Sequence, residues 1–449
     1  MQRQDLTQGS IYGNIFSFAA PYVLAYFLQI LYGLADLFVI GQYCDVDSTT
    51  AVSNGAQVMY FITCVTIGLA MGTTVRTARA IGGKDEKKVA RTVGNTITLF
   101  IFFCALMMTL ALGLRSEIID LMDTPQEAKA GMNQYLTICF LGLPFIMAYN
   151  VIAAIFRGMG DSKSPMHFVA IACCVNIMLD YIFIGLLGWG ASGAALGTTL
   201  SQMTSVICAI IAIRKHRSMF QMTRHDLKPH RITIVSILKT GIPIAMQDGF
   251  IQITFLAITV IANGRGLYDA AAVGIVEKFI GLVFIVPSAM LAAVSAIASQ
   301  NIGAHQIDRA KRTMWRAIAI TTTYGIAVSV ILQFIPDMAV RIFTSDTHVV
   351  ALGAQYLRGY VWDCVFAGMH FCFSGYLTAC GYAIISFAHN LISALCARIP
   401  LAYLASEMYP DTLFPMGLAT CIGSILSCLI CLVCFAWLTT HRDLSEKNM

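Results

Sequence analysis

The sequence predicts an all-α integral membrane protein whose twelve transmembrane helices form two parallel six-helix repeats. Three observations carry that prediction. Of the 449 residues, 57% are hydrophobic and only 12% charged, where an ordinary soluble protein carries about 25% charged residues. The apolar residues gather in runs long enough to cross a hydrocarbon core about 30 Å thick, which takes roughly 20 residues of helix. The second half of the chain repeats the first at a displacement of 221 residues. With a mean hydropathy of +0.73, this composition excludes a water-soluble enzyme, a disordered chain and a nucleic-acid binder.

Charge clusters and glycine-rich turns cut the chain into spans at 11–40, 50–73, 92–114, 131–156, 164–187, 192–213, 234–262, 272–298, 313–335, 353–379, 384–406 and 414–438. The first is too long for a cleavable signal and is expected to remain as a span. No charged residue falls in 181–213, so Gly188-Trp189-Gly190 must mark the turn between the fifth and sixth spans. Residues 364–397 are likewise uncharged, and Gly381-Tyr382 marks the turn there.

Lysine and arginine favour cytoplasmic loops. With twelve spans, and with Lys239, Arg316 and Arg358 at span ends counted to the side they adjoin, 22 of the 29 basic residues fall on the side that holds both termini and five on the other, while Lys278 and Arg398 fall in span interiors. Both termini are therefore expected in the cytoplasm, with the protein a multi-pass component of the inner membrane. Of the fifteen cysteines only Cys44 and Cys380 lie outside a span, and none has the spacing of a zinc site.

The repeat is legible by eye. Ala51-Val52 matches Ala272-Val273, Ile81-Gly82 matches Ile302-Gly303, Tyr135-Leu136 matches Tyr356-Leu357, and Gly160 matches Gly381. Pro21 matches Pro243 one residue further on. Six spans is an even number, so both halves enter the membrane in the same direction. The expected division is an N-terminal lobe over 1–213, a basic cytoplasmic linker over 214–233, a C-terminal lobe over 234–440 and a tail over 441–449. One chain already carries both lobes, so a monomer is expected.

Particular residues add a resemblance. The first span ends Gln29-Ile30-Leu31-Tyr32-Gly33-Leu34-Ala35-Asp36, the fourth ends Phe156-Arg157-Gly158-Met159-Gly160-Asp161, and the fifth carries Asn176-Ile177-Met178-Leu179-Asp180. Over essentially its whole length the chain resembles the multidrug and toxic compound extrusion (MATE) family. The resemblance implies an exporter of cationic or amphipathic small molecules, driven by inward Na⁺ or H⁺. It also implies two lobes in a V around a shared cavity. No cofactor is expected beyond the coupling ion, and no partner beyond substrate and membrane lipid.

Ionisable residues inside a bilayer are functional candidates, because a charge there costs at least about 2.5 kcal/mol. Five acids fall in spans: Asp36, Asp180, Asp248, Glu277 and Asp363. Asp36 interrupts an otherwise uncharged run from Leu6 to Cys44. Asn176 and Asp180 are four residues apart and share a helix face. The resemblance carries the family's cation site onto Asp36, Asn150, Asn176, Asp180 and Thr198. Two carboxylates, two amides and a hydroxyl make a hard oxygen site. It could hold Na⁺ at Asp36, Asp180 and Asn176, or a proton on one carboxylate.

The repeat does not copy this site. Glu277, Asp363 and Arg398 form a second set, either an ion pair of Arg398 with Asp363 or Glu277, or a further coupling or substrate site. Asp248 with Gln247 is a candidate for attracting a cationic substrate. Pro21 and Pro243 each remove a backbone hydrogen bond and can kink their helices. A lipid-linked oligosaccharide flippase of the same superfamily is the main alternative, disfavoured by the N-terminal acids. An intramembrane enzyme lacks its motifs, and His167, His370 and His389 lie scattered over separate spans.

Overall fold

The structure is a computed structural model that describes residues 4–215 and 222–441. Part of the expected linker (216–221) and the tail beyond 441 lie outside the described residues. Among these residues the regular structure is helical. The first half holds α1 (Ile11–Tyr43), α2 (Val46–Gly82), α3 (Glu86–Gly113), the short α4 (Arg115–Leu121), α5 (Gln126–Leu141), α6 (Leu143–Gly158), α7 (Lys163–Asp180) and α8 (Gly190–Lys215). The second holds α9 (Arg231–Arg265), α10 (Leu267–Val283), α11 (Ile285–Gly303), α12 (Ile307–Phe334), α13 (Pro336–Arg341), α14 (Thr347–Tyr360), α15 (Asp363–Ala379), α16 (Ala383–Ser393), α17 (Ile399–Met408) and α18 (Phe414–His441).

Ten helical runs are long and apolar enough to cross a membrane, and the α5–α6 pair, bent by 48°, makes an eleventh. The pair α14–α15 covers 347–379, each end 221 residues beyond the 126–158 of α5–α6. It is the repeat's copy of that bent span and completes the twelve. The fourth span, read as continuous from 131 to 156, is thus broken after Gly142. Pro144 stands in the first turn of α6, where its missing N–H is tolerated. The small helices α4 and α13, which begin 221 residues apart, are too short to cross a membrane.

Both turns placed by glycine occur where expected. Gly188 and Gly190 have φ of +68° and +52°, and Gly381 has +83°. Gly381 and its repeat mate Gly160, at +86°, cap the fourth and tenth spans with a left-handed residue, the commonest way to stop a helix. A second matched pair needs no glycine: Lys84 and His305 stand at +54° and +60° after α2 and α11.

The chain forms two compact units. One is built on Ala20–Gly241, the other on Leu6–Ala19 and the chain from Ile242 onward. These limits differ from the division by spans, because α1 and α9 each change unit two residues before their prolines, Pro21 and Pro243. In the first unit α6 packs along α2, and in the second the corresponding α15 packs along α11. Each pair is buried through small residues, such as Ala70, Ala153 and Ala154 in one and Ala293, Ala296 and Ala379 in the other. Side chains of that size let apolar helices approach closely without a hydrophobic drive from water.

The described part of the linker is fixed to the first unit. Asn95 of α3 accepts from the His230 backbone N–H at 2.6 Å and donates to the carbonyls of Asp226 and Lys228. Thr98, one turn on, donates to the Leu227 carbonyl at 2.7 Å. Asp226 itself caps a 3₁₀ turn at Arg224–Leu227. Its carboxylate accepts from the backbone N–H and hydroxyl of Thr223, and these bonds hold it below the usual carboxylate range.

Candidate functional site

Asp36 lies in the C-terminal half of α1 and is buried, at 6% exposure. Its Oδ2 accepts a hydrogen bond of 3.1 Å from Thr198 Oγ1 on α8. The same carboxylate faces Asp180 and Asn176 of α7. Asn176 and Asp180 are both 0% exposed, one turn apart as their spacing requires. The helix then widens into a π-helical turn at Tyr181–Leu186, immediately after Asp180. Such π turns rotate the following face and recur at functional sites.

Room for Asp180 comes from Gly197 on α8, where a Cβ atom would fall on Asp180 Oδ1. This glycine carries no signal that separates it from the many other glycines of the sequence. Four of the five expected residues therefore meet: Asp36, Asn176, Asp180 and Thr198.

Asn150 is not joined to them by any recorded contact. Its amide donates to the Ile146 carbonyl of its own helix at 2.9 Å. Its side chain lines a separate cleft in the same unit with Tyr22, Tyr26, Gln29, Tyr149 and Arg157. A second rung, unread in the sequence, lies one turn toward the N-terminal end of α1. Gln202 Nε2 donates to Tyr32 Oη at 3.4 Å, with Tyr32 four residues before Asp36 and Gln202 four after Thr198. That repeated spacing of four was the available signal.

The polar atoms at the centre are short of partners. Both carboxylate oxygens of Asp180, both amide atoms of Asn176 and Asp36 Oδ1 are buried without a hydrogen bond. Buried polar atoms are nearly always satisfied in a stable protein. Two carboxylates removed from water together cost several kcal/mol unless something positive joins them. All of these unpartnered atoms but the Asn176 amide nitrogen are oxygens, and oxygen suits Na⁺ or a shared proton.

The second unit pairs two of its buried charges with each other. Arg398 Nη2 lies 3.4 Å from Asp363 Oδ2 and 3.5 Å from Oδ1. It also donates to Ser424 Oγ on α18. Of the two pairings open to Arg398, the structure forms the one with Asp363. Glu277 instead accepts from Thr259 at 3.2 Å, and its other oxygen is buried without a partner. Gln247 is buried, Asp248 is partly exposed and Lys278 is exposed.

The histidines are less scattered than their positions imply. The His370 and His389 rings stand 5.5 Å apart, and His370 reaches Ser424 at 3.4 Å. Among the described residues no cluster of His, Cys, Asp or Glu has the makings of a metal centre.

The model of the MatE family matches residues 21–182 and again 243–404, two stretches of equal length that begin at Pro21 and Pro243. The chain belongs to the MatE family. The chain is 23% identical over 411 residues to "Probable multidrug resistance protein YoeA" of Bacillus subtilis, covering 90% of this chain and 89% of that protein. It is 26% identical to "Probable multidrug resistance protein NorM" of Thermotoga maritima, covering 85% and 83%. A solved outward-facing multidrug resistance MATE family transporter of the MOP superfamily superposes with a TM-score of 0.91, at 22% identity and 98% coverage of this chain. Membership in the MatE family and the two matched stretches agree with the twelve-helix, two-repeat fold. The protein is a multi-pass membrane transporter.

Proposed function

We propose that this MatE protein is a secondary active antiporter that exports cationic or amphipathic compounds in exchange for inward Na⁺ or H⁺. The observation that carries the coupling role is the pair of buried carboxylates, Asp36 and Asp180, whose free oxygens converge with Asn176 and Thr198. A cation entering there neutralises the pair and satisfies those oxygens. A cation leaving restores a buried negative charge that draws the next cation, whether ion or drug. The names of the relatives support multidrug export as the transport task.

Asp36 lies fifteen residues beyond Pro21 on the same helix, about 22 Å along it. Pro21 leaves one carbonyl of α1 without its helical donor, so α1 bends there at low cost. Pull on Asp36 by a bound cation is carried along a rigid rod to that weak point. Gln247 and Asp248 serve as a polar attraction for cationic substrate in the second unit. The protein works as a monomer in the inner membrane with both termini in the cytoplasm.

Efflux of ethidium from vesicles, driven separately by a pH gradient and by a Na⁺ gradient, tests the proposal. One gradient is expected to drive efflux in the wild type and to fail in Asp36→Asn and Asp180→Asn. The double variant should lose no more than either single one, since both residues act on one bound cation. Full gradient-driven efflux by Asp36→Asn at normal protein levels would overturn the coupling role.

A further inference from the structure

Each unit sets a buried ionisable side chain at a π-helical turn, at positions that the 221-residue repeat does not match. In the first, a π-helical turn on the fifth span follows Asp180, and Gly197 on the sixth makes room for that side chain. In the second, a π-helical turn at Ala394–Arg398 on the eleventh span ends on Arg398. Gly423 on the twelfth makes room for it, since a Cβ there would overlap the Arg398 side chain. In each unit one ionisable side chain, just before the π turn in the first and at its end in the second, packs against a glycine and faces a carboxylate on a third helix. That carboxylate is Asp36 on α1 in the first unit and Asp363 on α15 in the second. The first unit has two negative groups with free oxygens. The second has one negative group with a guanidinium lying against both of its oxygens.

We propose that Arg398 is a tethered cation that plays, in the second unit, the part a mobile cation plays in the first. Asp363 is thereby closed to Na⁺ and H⁺ throughout the cycle, and one unit alone sets the ion stoichiometry. The parallel between the units rests on the reading of Asp36 and Asp180 as a cation site; the state of Asp363 does not. Asp363 is 0% exposed, so its charge cannot be screened by water. Removing one partner of a buried pair leaves the other charge uncompensated. Without Arg398, Asp363 must recruit a monovalent cation or a proton. The other groups around the pair do not replace the guanidinium. Ser424 is neutral, Tyr356 and Tyr360 of α14 and Glu277 of α10 bring no positive charge, and His370 is bonded to Ser424.

The test counts cations on the purified full-length chain, with radioactive Na⁺ and, separately, a pH-indicator dye. In the Asp36→Asn/Asp180→Asn background the chain is expected to bind none. Adding Arg398→Gln is expected to restore about one Na⁺ or one proton per chain, and adding Asp363→Asn should remove it again. Arg398→Lys, which keeps a tethered charge, should restore none. In the otherwise wild-type chain, Asp363→Asn/Arg398→Gln removes the pair together and should leave cation uptake at the wild-type count. The proposal is overturned if well-folded Arg398→Gln restores nothing, or if the pair-free double variant loses uptake. Should Arg398→Gln fail to fold, the pair-free variant still decides. Wild-type uptake by the Asp36→Asn/Asp180→Asn background would sink the reading of the first unit and leave the Asp363 measurements standing.

Discussion

Thr198 Oγ1 donates to Asp36 Oδ2 across 3.1 Å, tying α8 to α1 through residues 162 positions apart. A hydrogen bond to a charged group contributes about 1.5–3 kcal/mol, more than a neutral one. Thr198→Val keeps the side-chain volume and removes that donor. The driving ion's apparent affinity, read from the gradient dependence of dye efflux, should shift by roughly tenfold or more. Thr198→Ser keeps the hydroxyl and should stay near wild type. An unchanged ion dependence in Thr198→Val would mean the hydroxyl merely ties two helices.

Gly197 is expected to tolerate nothing larger. A methyl group at this position overlaps Asp180 Oδ1, so Asp180 must swing away from Asn176. Overpacking of this sort costs about 1–3 kcal/mol. Gly197→Ala should lower both the melting temperature and the coupled efflux rate at equal protein levels. Gly33, on α1 with open space around it, is the control, and Gly33→Ala should leave efflux nearly intact.

The linker clamp gives a prediction in pH. Asp226 has its carboxyl held below the ordinary range by its bonds to Thr223. An unfolded Asp titrates near about 3.9. A depressed folded value means that Asp226 stabilises the 3₁₀ turn above that pH, and that this contribution is lost as pH falls through the lower folded value. Limited proteolysis at the linker should therefore be flat from neutral pH down to about 4 and rise only below. Asp226→Ala should show the raised cleavage already at neutral pH. Asn95→Ala, which loses three bonds to the same segment, should do so more strongly. Equal cleavage of all three proteins at neutral pH would refute the clamp.

The spans were legible because a bilayer demands length and apolarity at once, and Asp36 because nothing else charged occurs between Leu6 and Cys44. Asn176 and Asp180 were legible as one face because α7 is still an ideal helix up to that point. The π turns were not legible. A π turn leaves no composition signal, yet it decides where Arg398 points. Asn150 was placed with the acids by the family resemblance, while its amide turns back to Ile146 and its side chain faces another cleft. His370 and His389 lie nineteen residues apart on different helices, and only packing brings their rings together. Spacing within one ideal helix can be read from a sequence, but the rotation of one helix against the next cannot.

Lys84 and His305 share a left-handed bend although they share neither shape nor charge. The duplication has outlived its residues there and persists as a dihedral angle. A corner that keeps its angle while its side chain drifts behaves as a standard joint. Either half could lend the other its joint without changing the phase of the helices on both sides. Interchangeable corners leave the interior free to diverge, so one ancestral six-helix unit could be refitted with two carboxylates in one copy and a carboxylate with a guanidinium in the other.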